Sequence, residues 1–129
     1  MMRHLESKSR GQSMVELALI IPIFMLVVVG LMDGAFAVFN YGTLSNAARE
    51  GARTAIVDQN PVAVRNAVED SAVGLNLARL TITLTPCTTM ACEYVVKVDY
   101  VYRSFFLGDF FAPTLTSTVA MPVENPSTP

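Results

Sequence analysis

Three sets of residues in this chain of 129 could do chemistry: Glu16, five positions after Gly11 at the mouth of an apolar run; Asp33, toward the far end of that run; and the pair Cys87 and Cys92. Glu16 makes the strongest demand. A lone carboxylate in hydrocarbon costs several kcal/mol, so it calls for a partner. Cleavage after Gly11 would provide one, because the new α-amine on Gln12 of an incoming neighbouring subunit can pair with a carboxylate at the fifth position of the trimmed chain. Asp33 lies 17 residues further on, ~25 Å along a helix, which places it near the far interface where solvation suffices; the other reading is a pairing with a partner protein inside the membrane. Four residues separate the cysteines, which matches neither a two-residue redox spacing nor a metal knuckle. The single histidine, His4, sits in a charged leader, so two Cys and one His supply neither a four-ligand zinc site nor a Ser/His/Asp or Cys/His catalytic set. No catalysis, metal or cofactor is expected.

The elements that must position these groups begin with a membrane segment. The chain is 52% hydrophobic and 16% charged, with a mean hydropathy of +0.43, which is too apolar for an ordinary soluble domain of this length. Nine Lys and Arg face eleven Asp and Glu, and no basic cluster lies beyond the first ten residues, so nucleic acid is not an expected partner. Arg3, His4, Lys8 and Arg10 against Glu6 make residues 1–11 a basic leader, and residues 17–32 carry no charge. From Gln12 to Ala37 a helix would run ~39 Å, enough for a hydrocarbon core of ~30 Å. The positive-inside rule then gives a cytoplasmic N-terminus and an exported C-terminal part.

Three readings of this segment stay open. It can be a plain single-pass anchor whose exported domain binds an envelope component. It can be a secretory signal cut after Ala35-Phe36-Ala37, releasing a disulfide-stapled domain from Val38, although the apolar length and Asp33 oppose that. Or it can be processed after Gly11. Pro22 lies inside the run, where it removes a hydrogen bond to Ala18 and serves either as a kink used in assembly or as an ordinary transmembrane proline.

Beyond the membrane, Leu44, Ala47, Ala48, Gly51, Ala52 and Ala55 recur at helical spacing, so the helix continues outward with one face of small residues, covered either by the chain's own C-terminal domain or by neighbouring subunits. Arg49, Glu50 and Arg53 lie off that stripe on a solvated face. Asn60-Pro61 suits an N-cap with proline at the first helical position, and a second helix is predicted to residue 78. Alternation in Leu80–Thr85 and in Tyr94–Arg103, where Val96, Val98, Tyr100 and Tyr102 share a face, predicts a hairpin; Leu115–Met121 is a weaker third strand. Cys87 and Cys92 flank the hairpin loop on the exported side, where disulfides persist, and are expected to form a staple for a small domain. Phe105, Phe106, Phe110 and Phe111 form either an exposed docking patch or, as expected here, rings packed into the core or against the membrane. Residues 124–129 are expected to be a disordered tail. The expected organisation is a leader (1–11), a transmembrane and extended helix (12–57), an exported α+β domain (58–123) and the tail.

The run Arg10-Gly11-Gln12-Ser13-Met14-Val15-Glu16-Leu17-Ala18-Leu19-Ile20-Ile21-Pro22 resembles the opening of the TadE-like family, pseudopilins of the tight-adherence (Flp) branch of type IV pili, and Thr43-Leu44-Ser45-Asn46-Ala47-Ala48-Arg49-Glu50-Gly51-Ala52-Arg53 is similar to that family's continuation. The resemblance covers roughly residues 10 to 57 and implies a pilin-like α+β protein of the bacterial inner membrane. It further implies cleavage between Gly11 and Gln12 by a prepilin peptidase, Glu16 as the assembly carboxylate, and partnership with the Flp-type major pilin, other pseudopilins and the inner-membrane platform. Arg49, Glu50 and Arg53 become the positions for an extracellular contact. Removing the leader takes away Arg3, Lys8, Arg10 and Glu6, so the remaining 118 residues carry six basic and ten acidic side chains, a net charge of -4.

Overall fold

A computed structural model describes residues 6–87 and 92–123 and gives an α+β chain. Helix α1 spans Glu6–Val57, α2 spans Pro61–Ser71, a 3-10 turn covers Leu77–Arg79, and strands β1 (Leu80–Thr85), β2 (Glu93–Val101) and β3 (Thr114–Pro122) follow. The chain divides into two compact units, Met1–Ala35 and Phe36–Pro129.

In the first unit α1 is one uninterrupted helix that passes through Pro22. It begins at Glu6 rather than at Gln12, so the Gly11–Gln12 bond lies inside helical backbone. Between Glu6 and Gln12 the only poor helix former is Gly11, and once a long helix is nucleated one glycine costs only about 1 kcal/mol. The large apolar side chains of this unit, among them Leu17, Phe24, Leu26 and Leu31, are exposed.

In the second unit the remainder of α1 buries Leu44, Ala47, Ala48, Gly51, Ala52 and Ala55. The small-residue stripe is therefore covered by the chain itself. A Cβ built on Gly51 would collide with the Val68 side chain and reach Val96 at 3.5 Å, so the glycine lets α2 and β2 approach the helix backbone. Asn60 stands at the start of α2, its side chain accepting a hydrogen bond from the Val62 amide at 3.0 Å, with Asp58 Oδ1 in turn accepting from the Asn60 amide. The helix stops at Ser71, seven residues short of the predicted end. Gly74, at φ +83, turns the chain, and Asn76 caps a separate 3-10 turn by accepting from the Ala78 amide; the valine and leucine periodicity hid both signals.

The sheet is antiparallel with order β1-β2-β3. Its register places Ile82, Val98 and Ser117 in one cross-strand row and Leu84, Val96 and Val119 in the next. The face that carries Tyr94, Val96, Val98, Tyr100 and Tyr102 is buried. On the outer face Lys97 and Asp99 form an ion pair at 3.3 Å, and the Thr116 hydroxyl donates to Asp99. Cys87 and Cys92 are joined by a disulfide, with Cα atoms 5.6 Å apart; the intervening residues, like the 124–129 tail and the first five residues of the leader, lie outside the described residues.

Phe105, Phe106, Phe110 and Phe111 do not enter the core. All four are exposed, because the turn joining β2 to β3 is closed by its own polar contacts. Gly108 N donates to Ser104 O at 3.0 Å, Leu107 N to Ser104 Oγ at 3.0 Å, and Arg103 pairs with Asp109 at 3.0 Å.

Candidate functional site

The processing and assembly candidates come together on α1. Gly11, Gln12, Val15, Glu16 and Leu19 line one shallow, open depression on the helix. The geometry follows from helical spacing: Gly11, Val15 and Leu19 are four apart, as are Gln12 and Glu16, so the two rows are neighbours on one face. Gly11 makes the hollow by lacking a side chain. A Cβ on it would meet nothing within 4 Å, so the fold of this chain has no need of glycine there. Gln12 and Glu16 are exposed. What the face offers chemically is a carboxylate held beside the Gly11–Gln12 peptide, accessible to a second polypeptide.

Pro22 lies six residues beyond Glu16 in the helix, and Asp33 is half-buried near the end of the first unit. Arg49, Glu50 and Arg53 sit on the exposed side of α1 in the second unit, opposite the covered stripe, and the Glu50 carbonyl accepts the Thr54 hydroxyl at 3.0 Å. Among the described residues no group of three or more His, Cys, Asp or Glu is placed to hold a metal ion. Ala35 to Ala37 lie within the continuous α1, and Ala37 packs partly against the core of the second unit.

Tyr94 is the residue that sequence reasoning missed. It is fully buried, its hydroxyl has no hydrogen-bond partner among the described residues, and burial raises its pKa above the ordinary tyrosine value. The alternating pattern of β2 signalled that Tyr94 faces inward, but pattern carries no information on whether a partner waits for the hydroxyl.

From Gly11 to Val57 the described chain has one helix long and apolar enough to cross a membrane, with a mean hydropathy of 2.7 over its 18-residue window. Residues 11–53 match the family model described as TadE-like protein, the family that the sequence resembles. The match covers a third of the chain and contains Gly11, Gln12, Glu16, Pro22, Asp33, Arg49, Glu50 and Arg53. No curated protein and no solved structure matches the chain. The apolar helix and the family match together suggest a membrane protein with a role related to tight-adherence pili.

Proposed function

We propose that this chain is a pseudopilin or minor pilin in the assembly of a tight-adherence (Flp) pilus. It is held in the bacterial inner membrane with its N-terminus in the cytoplasm, cut between Gly11 and Gln12 by a prepilin peptidase, and then associates with the Flp-type major pilin, other pseudopilins and the inner-membrane platform. It works by docking and self-association and catalyses no reaction. The observation that carries this reading is the family match beginning at residue 11, on a helix face where Gly11, Gln12 and Glu16 adjoin.

The physical steps are few. A peptidase must extend the backbone it cuts, and Gly11, a poor helix former, lowers the resistance of this helix at that point. Cleavage removes the leader's cations, which would otherwise oppose movement through hydrocarbon, and frees the Gln12 amine. Glu16 of one subunit then pairs with that amine on the next, which neutralises a carboxylate otherwise stranded at the edge of an apolar helix. Charge pairing of this kind fixes register as well as affinity.

N-terminal peptide mapping and intact mass, on protein from membranes of a host carrying its pilus genes, test the reading. A chain starting at Gln12 is expected. An intact leader there leaves an uncleaved single-pass anchor with an exported binding domain, and a start at Val38 leaves a secreted domain. Glu16→Ala separates assembly from processing: the variant is expected to be cut as the parent is and to be absent from pili, whereas a plain anchor would be indifferent to it.

A further inference from the structure

The aromatic turn between β2 and β3 has a definite place in the second unit. Gly51 meets Val96, which pins α1 to β2 at one level. From Gly51 the covered face of α1 extends about 6 Å to Ala55 and about 21 Å back to Ala37 at ~1.5 Å per residue. From Val96 the buried row extends about 7 Å back to Tyr94 and about 20 Å on to Tyr102 at ~3.3 Å per residue. Each span is lopsided about the shared point by the same amounts, so they superimpose only if β2 runs antiparallel to α1. Tyr102 then lies level with Ala37 and Val38, and the turn that follows it lies at the end of the unit marked by Phe36.

That end is where the bilayer should stop. From Leu17 to Phe36, with Asp33 as its one charge, the run is 20 residues, or about 30 Å of helix, one hydrocarbon thickness. Phe105, Phe106, Phe110 and Phe111 are 85%, 67%, 91% and 58% exposed, and Phe36 and Phe39 are exposed at the same level on α1. At about 200 Å² per ring the four turn residues alone present roughly 600 Å² of apolar surface, more than the few hundred Å² that soluble monomers normally leave to water. The turn is built rather than collapsed, as its Ser104 contacts, the Arg103–Asp109 pair and the positive φ of Gly108 fix the backbone while the four rings stay exposed.

We propose that the turn Phe105–Phe111 is a second membrane contact, seating its rings in the lipid interface beside the point where α1 emerges. The exported domain would thereby be held against the outer leaflet by two attachments, α1 and the turn. Aromatic residues favour this depth, where apolar bodies meet acyl chains and charges such as Arg103, which precedes the turn, and Asp109, which lies within it, stay paired at the headgroups. The inference rests on the reading of α1 as membrane-spanning.

The chain has no tryptophan, so Phe110→Trp, Phe24→Trp and Thr85→Trp each place a single indole in the full-length protein, in the turn, in the apolar helix and on the exposed face of β1. Each is reconstituted in phosphatidylcholine vesicles with brominated acyl chains. The expected result is at least twofold quenching of both phenylalanine-site indoles by bromolipid with protection from aqueous acrylamide, and the reverse for Thr85→Trp. Phe106→Trp gives a second reading of the turn should Phe110→Trp express poorly. Acrylamide quenching of the turn indole while Phe24→Trp remains lipid-quenched would overturn the contact and leave the span standing. Protection from acrylamide without bromolipid quenching would also overturn it, in favour of a second copy of the chain covering the rings. Failure of Phe24→Trp to sense bromolipid would remove the membrane reading itself.

Discussion

The two units of this chain use the same helix in opposite ways. In residues 6–35 the large apolar side chains of α1 face outward, and in residues 36–57 the side chains that are covered are chiefly alanine and glycine. A soluble helix puts its large residues inward, so the first unit is suited to a solvent other than water, and its exposed leucines and phenylalanines are already at home in lipid. The second unit is suited to water on one side and to close packing on the other. There the small stripe brings backbone near backbone, and Val64, Val68, Val96 and Val98 supply the volume that alanine and glycine leave free. Composition averaged over the helix conceals this change; residue size, read position by position, reveals it.

The sharpest way to break the comparison is the same substitution made in both units. Gly51→Leu drives side-chain atoms into Val68 and forces α2 away from α1. The expected loss is about 3 kcal/mol, at the upper end of overpacking costs, seen as a lower Tm by circular dichroism of the full chain in detergent. Gly11→Leu meets no neighbouring atom and should leave that Tm unchanged, yet it is expected to block processing, since any need for a glycine there comes from outside the chain. Equal thermal effects at both positions would mean that the second unit does not pack on Gly51.

Removing the staple tests the second unit alone. Cys87→Ala with Cys92→Ala opens a loop of six residues counted inclusively, which chain-entropy reasoning values at about 2 kcal/mol. The expected result is a lower Tm for the double variant and for the reduced parent alike, with processing at Gly11 unaffected. A drop in the double variant alone would show that the alanines, rather than the open loop, were responsible.

Much of this arrangement was legible in the sequence because period and residue size are local signals. The small stripe from Leu44 to Ala55, the Asn60 cap, the alternation of β1 and β2 and even the weak third strand each follow from residues a few positions apart. The errors came where a local pattern was outweighed by a single backbone feature or by distant packing. Gly74 and Asn76 ended α2 within a stretch whose apolar spacing still read as helical. The phenylalanines were expected to pack into the core or against the membrane, and Ser104, Gly108 and the Arg103–Asp109 pair hold the turn in a shape that excludes them from the core. For the candidate site, Gly11, Gln12 and Glu16 could be named from spacing, and helical geometry then brought them to one face. That the helix runs on through the leader to Glu6 was not visible, because nothing in those residues encodes where a long helix frays.

Tyr94 offers a smaller and cleaner probe of the second unit. Its buried hydroxyl, without a hydrogen-bond partner among the described residues, lost hydration on folding, so Tyr94→Phe is expected to raise stability by about 1 kcal/mol. The same residue sets a pH limit. Its folded pKa is raised, so the folded state holds the proton after the unfolded chain has released it. Stability is therefore level below about pH 10 and falls as pH rises beyond that value through the folded pKa. Alkaline unfolding monitored by circular dichroism should begin at higher pH in Tyr94→Phe than in the parent; coincident curves would show that the hydroxyl has found a partner.

The smallest expected effects lie on the outward face of α1 in the second unit. Arg49, Glu50 and Arg53 are exposed, so Arg49→Ala with Arg53→Ala should leave the Tm where it is. If these charges contact a neighbouring subunit, the contact is of the solvated kind, screened by salt and weak for each pair, and the expected loss of pilus incorporation is a few-fold at most and smaller at high ionic strength. Glu16→Ala is expected to abolish incorporation altogether, because it leaves the neighbouring subunit's free amine without a partner in a place where water cannot supply one. The ratio of the two losses therefore measures how much of subunit recognition resides in the apolar helix and how much in the domain it carries. A loss from the arginine pair as complete as that from Glu16→Ala would move the assembly determinant out of the membrane and onto the second unit.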